Sequence, residues 1–78
     1  MVTIYSNMKS VNVFFAERLK DLRTERNLSL KELARAIGVS DVAIGRWEKS
    51  LQIPNIIMLD LVARYFSTTP NYLLGYED

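Results

Sequence analysis

The sequence predicts an all-α domain, a compact bundle of five helices. Three observations carry the prediction. Apolar residues recur at helical spacing along the chain, and beyond the first few residues nothing alternates with period two. Asn12, Ser29, Ser40, Asn55 and Thr69 each stand before an apolar-periodic segment as caps do, while Asn27, Gly38 and Gly75 each follow one. At 78 residues, 49% of them hydrophobic, the chain holds one domain, near the size at which a single core only just suffices.

The elements follow in order. Residues 1–11 have no clear period. Val2, Ile4 and Tyr5 there fit an arm, a short strand or disorder, and the domain proper is taken as 12–78. Asn12 is the expected N-cap of the first helix, in which Phe15, Leu19 and Leu22 recur among charged residues, and Asn27 tolerates the left-handed conformation that ends it. Ser29 and Glu32 form a capping box for the second helix, whose stripe is Leu30, Leu33, Ala34 and Ile37 and whose stop is Gly38. Ser40 opens a short third helix running to about Lys49, with Ile44 and Trp47 inward, and 50–54 is a loop. Asn55 caps the fourth, where Ile56, Leu59, Val62, Ala63 and Phe66 are expected on one inward face. Pro70 occupies the first turn of a short fifth helix that packs Tyr72, Leu73 and Leu74 before Gly75.

Composition narrows the function. Without Cys there is no disulfide, thiol nucleophile or thiolate metal site, and without His the commonest general base and metal ligand is missing. Three scattered glycines make no phosphate loop. No metal, cofactor or small-molecule ligand is expected. The longest apolar run is far short of a membrane span and residues 1–10 lack a signal-peptide core, so a cytoplasmic protein without membrane contact is expected. Net charge is only +1. Its distribution says more: residues 1–50 hold nine of ten basic and six of nine acidic residues, net +3, whereas 51–78 set Arg64 against Asp60, Glu77 and Asp78, net −2. A basic half can face phosphate, although two ordinary solvated surfaces fit the same counts.

The informative segment runs from Ser29 to Glu48. Leu33, Ala34, Ile37, Gly38, Val39, Ile44 and Trp47 join two short helices across a tight turn into one core and leave the outer face of the second free. That is a helix-turn-helix, which lays its second helix in the major groove of DNA. An ordinary helical hairpin in a small bundle is the plainer alternative.

From about Phe15 to Gly75 the chain resembles the Cro and phage-repressor type of helix-turn-helix domain, the Xre family. The resemblance rests on Arg18-Leu-Lys-Asp-Leu-Arg23, the hairpin, Trp47-Glu48, Ile53-Pro54 and Tyr65-Phe66-Ser-Thr-Thr-Pro-Asn-Tyr-Leu-Leu-Gly75. It implies a lambda-repressor-like DNA-binding domain, a regulator or repressor of transcription, bound to double-stranded DNA as a homodimer on a two-fold operator. It also implies a structural ion pair between Arg23 and Glu48, and base contacts from Asp41, Val42, Gly45 and Arg46.

Chemistry weighs each contact. Arg46 suits guanine O6 and N7, contributing about 1–3 kcal/mol of discrimination, or else a phosphate alone. Val42 suits a thymine methyl, or packs on the second helix. Asp41 can accept from cytosine N4, but a favourable first-turn charge on the helix dipole is the simpler role. Gly45 inside a helix costs near 1 kcal/mol relative to Ala, which close approach to DNA would offset, unless it is drift. Phosphate contacts are expected from the caps Ser29, Ser40 and Asn55, with Lys31 and Lys49 adding charge. Such contacts fix register and not sequence.

The chain also departs from the family pattern. Leu30 stands where Gln often contacts phosphate, and Ser50, Leu51 and Gln52 replace a Gly and basic residues, so generic affinity and salt slope are expected to be modest. On the fourth helix Ile57, Met58, Leu61 and Tyr65 are expected off the inward face. With Leu51 and Ile53, and Tyr72 as a further candidate, they form an apolar patch read as an isologous dimer interface of Leu51, Ile53, Ile57, Met58 and Leu61. Cover within one subunit is the alternative. An interaction module that keeps the fold and has lost DNA reading is the second function. An enzyme is a distant third, since Glu32 and Glu48 are accounted for by capping and ion pairing.

Overall fold

The computed structural model describes residues 10–78; what was expected of the arm at 1–9 lies outside the described residues. Among the described residues five helices follow one another and no strand occurs: α1 (Val11–Glu25), α2 (Leu30–Ile37), α3 (Asp41–Glu48), α4 (Ile56–Tyr65) and α5 (Pro70–Leu74).

Helix boundaries follow from local chemistry. Ser29 Oγ accepts the Glu32 N–H at 3.0 Å while Glu32 Oε1 accepts the Ser29 N–H at 2.8 Å, a reciprocal cap on α2. The two Ser29 bonds, aided by the charge of Arg35, hold the Glu32 carboxyl below its ordinary pKa. Ser40, Asn55 and Thr69 cap α3, α4 and α5 with their side-chain oxygens, at 3.1, 2.9 and 3.0 Å. Gly38 ends α2 in the left-handed region, and Asn27 takes the same region after α1 at φ 57°. One cap differs from expectation. The N-cap of α1 is Ser10, not Asn12: the Ser10 carbonyl accepts the Val13 and Phe14 N–H groups, and Asn12, in the first turn, takes the Ser10 hydroxyl on its Oδ1.

The core forms where the five helices meet. α1 packs on α3 and α5, α2 on α3 and α4, and α4 on α5. Phe15, Leu19, Leu33, Ile44, Val62 and Leu73 are fully buried, and Phe15 meets Trp47 edge-on at 6.1 Å between centroids. Each such side chain contributes about 1.5–3 kcal/mol on burial. Small, buried Ala34 lets α2 approach α3 closely.

Arg18 holds the end of the fold. Its guanidinium lies over the Tyr72 ring at 4.2 Å and the Phe14 ring at 5.2 Å and donates to the carbonyls of Tyr72 and Glu77. Beside it Gly75 has φ 90°, and a Cβ there would collide with the Phe14 ring, so only glycine ends α5 without strain.

The face of α4 is rotated from the expected one. Val62, Ala63 and Phe66 are buried, but Ile56, expected inward, is 80% exposed. Met58 and Tyr65, expected off the core, are half-buried and packed against it. Ile56 opens the helix and overhangs the bundle, so the inward stripe is Met58, Leu59, Val62, Ala63 and Phe66 at the usual three-and-four spacing. Tyr72 likewise packs on the core and Arg18 and does not join the exposed patch.

Candidate nucleic-acid interface

The inner face of α3 is fixed first. Ile44 and Trp47 are buried, and Glu48 is seized by Arg23 of α1: Nε to Oε2 at 2.6 Å and Nη2 to Oε1 at 2.9 Å. The remaining Nη1 donates to the Leu28 carbonyl at 2.8 Å. The two side chains are 13% and 8% exposed, so the pair is nearly removed from water. The bond from Glu48 raises the pKa of Arg23 despite its burial. This bidentate clamp sets the rotation of α3 about its axis relative to α1.

The opposite face is open. Val42 is 63% exposed, so at most a minor part of it packs on the domain. Gly45, one turn on, has no atom beyond its own stretch of helix within 4 Å of where a Cβ would stand. Arg46 is exposed, and its guanidinium makes no hydrogen bond or ion pair with the described residues. Val42, Gly45, Arg46 and Lys49 therefore form an apolar knob, a notch and two cations along one strip. Asp41 is placed otherwise. It is half-buried, and its Oδ1 accepts the Val42 N–H at 3.1 Å, which accords with the first-turn role more than with base reading.

The residues assigned to phosphate are exposed around this strip. Ser29, Ser40 and Asn55 spend acceptor oxygens on their own helices, which leaves the hydroxyl and amide hydrogens to donate. Lys31 and Lys49 are exposed. Leu30 is half-buried against the core, so the position that would carry a polar anchor is used for packing. Arg35, which the sequence reading passed over, is also exposed and lines one cleft with Lys31, Ser40 and Asp41. The available signal was its spacing of four from Lys31, which puts both on one side of α2.

The apolar surface is divided. Leu51, Ile53, Ile56 and Ile57 are 53–80% exposed, all from the loop and first turn of α4. Leu61 lies apart, lining a groove with Ala36, Ile37, Arg64 and Tyr65. Val11, Ile53 and Ile56 border a second, apolar groove floored by Phe15, Leu59 and Leu74. Among the described residues no helix is long and apolar enough to cross a membrane.

Known proteins match this arrangement. Residues 19–73 match the HTH_3 helix-turn-helix family, and the chain belongs to it, with the Cro/lambda-repressor-like five-helix fold. The HTH-type transcriptional activator BcrR of Enterococcus faecalis is 39% identical over 64 residues, 82% of this chain and 31% of BcrR. The crystal structure of the P22 c2 repressor in complex with synthetic operator 9T superposes with a TM-score of 0.76 at 32% identity, covering 81% of this chain and 96% of that one. Hydroxypropylphosphonic acid epoxidase from S. wedmorenis has the same fold in 36% of its chain, over 86% of this one, with a TM-score of 0.73 at 25% identity. The chain thus spans about a third of the length of BcrR.

Proposed function

We propose that this chain reads double-stranded DNA in a sequence-specific way and regulates transcription, with α3 in the major groove. The carrying observation is the strip of Val42, Gly45 and Arg46, open to solvent on a helix whose other face is clamped by Trp47, Ile44 and Arg23–Glu48. The fold alone is insufficient support, since an epoxidase has it too. Likeness to an operator-bound repressor supports the reading further. Arg46 takes guanine, Val42 a thymine methyl, and Ser29, Lys31, Ser40, Lys49 and Asn55 phosphates; Asp41 serves mainly the start of α3. Relatives named as activator and repressor support regulation in either direction.

The reader works as a homodimer. Residues 50–59 contain no charge, and the neutral face of Leu51, Ile53, Ile56 and Ile57 suits a second copy of itself across a two-fold axis. Met58 leaves the interface for the core, and Leu61 is at most its rim. Selection from a randomised duplex pool tests both claims. Wild type should enrich a two-fold motif with half-sites about one helical turn apart, and Arg46→Ala should blur it. No enrichment for wild type refutes DNA reading. A symmetric motif undiminished by Ile57→Glu refutes the dimer face.

A further inference from the structure

The strip on α3 accounts for base reading but leaves the grip on the DNA backbone thin. Two common anchors are gone: Leu30 is packed against the core, and Ser50, Leu51 and Gln52 carry no charge after Lys49. On that side of α3 the next cation along the chain is Arg64, on α4 and paired with Asp60 at 2.8 Å. The other side differs. Lys31 and Arg35 stand one turn apart on α2, exposed, and neither side chain forms an ion pair or hydrogen bond with the described residues. Ala34 and Val39 floor the cleft beside them, and Ser40 and Asp41 close it at the first turn of α3. Lys31 and Arg35 outnumber the one carboxylate lining the cleft, Asp41, so the lining carries a net positive charge.

We infer that Arg35, with Lys31, grips a phosphodiester of the DNA backbone at the edge of the groove and sets the register in which α3 enters it. The inference rests on the DNA reading proposed above and adds to it a residue and a one-sided arrangement. A guanidinium fork matches a phosphate bidentately, and the ammonium beside it adds a point charge. Most of the backbone grip thus sits on the α2 flank, next to Asp41 and Val42, with Lys49 and Asn55 the contacts beyond it, and the uncharged run 50–53 is left for contact between subunits. The grip carries no sequence information: its loss weakens every duplex alike.

The test is titration of wild type, Arg35→Ala, Arg35→Lys and Arg64→Ala against two duplexes, one selected from a randomised pool and one of mixed sequence, across a salt series. Both substitution sites are solvent-exposed, and thermal melting verifies that each variant is folded. Arg35→Ala is expected to lower affinity for both duplexes by the same factor. Its log–log salt slope should be shallower by about 0.9 per protomer, so a roughly fourfold rise in salt shrinks the gap from wild type by roughly threefold. Arg35→Lys should restore the slope, and Arg64→Ala, which removes the same charge elsewhere, should leave it unchanged. Wild-type binding with an unaltered slope in Arg35→Ala overturns the inference while DNA reading stands. Equal slopes for Arg35→Ala and Arg64→Ala overturn it as well, since net charge would then explain everything. Failure of wild type to bind either duplex overturns both.

Discussion

A methyl group added at Gly45 would meet no atom beyond the neighbouring backbone of its own helix within 4 Å, so nothing in the packing of the fold requires a glycine there. Alanine in a helix interior is favoured over glycine by about 0.5–1 kcal/mol. Gly45→Ala should therefore raise the melting temperature by a few degrees, about 4–8 °C per kcal/mol for a domain of this size. If the notch between Val42 and Arg46 admits a base edge, the same change should weaken binding to a selected duplex. Opposite signs in melting and binding are expected. A variant that melts higher and binds as well as wild type would reduce the glycine to drift. Residue chemistry was legible in part. Caps at Ser29, Ser40, Asn55 and Thr69 were readable because one side-chain oxygen and one nearby N–H decide them. Asn12 and Ser10 share that capacity two residues apart, and the side chain alone could not choose between them.

At the scale of elements, Arg23–Glu48 joins α1 to α3 through two short bonds in a nearly dry setting. Removing one partner strands the other charge, and Arg23→Ala should cost about 3–5 kcal/mol. That is a large share of the roughly 4–12 kcal/mol expected of 78 residues. Replacing both by apolar residues of similar size, Arg23→Met with Glu48→Leu, should recover most of the loss in a denaturant melt. Simple additivity of the single losses would contradict a coupled pair. The face of α4 shows why spacing alone misassigns a position. Ile56 and Met58 sit at comparable angles from the centre of the stripe. Ile56 opens the helix and overhangs the bundle, and Met58 one turn short of Val62 reaches the core. Neighbouring helices settle this, and neighbours are not written in the period.

For the whole molecule, helix order and core were legible because local signals agreed: caps, apolar period and stops selected the same five segments. The outer strip of α3 was legible for the same reason, as the complement of Ile44 and Trp47. Surfaces that two elements build together were not. Arg35 becomes part of a site only when the crossing of α2 and α3 brings it to Ser40 and Asp41. The exposed apolar residues separate into two regions only when α4 is rotated into place against α2. Electrostatics at this scale favours DNA by a modest margin, since net charge is +1 and the positive excess lies in residues 1–50.

The central claim is that Arg46 reads a base from the major groove. A double-substitution cycle tests it most directly: titrate wild type and Arg46→Ala against the selected duplex, with each guanine in turn replaced by 7-deazaguanine, which lacks the N7 acceptor. At one position the replacement should weaken wild type by about 10-fold or more and leave Arg46→Ala unaffected, because the lost hydrogen bond is the one the variant never makes. Equal weakening of both proteins at every guanine would contradict the claim.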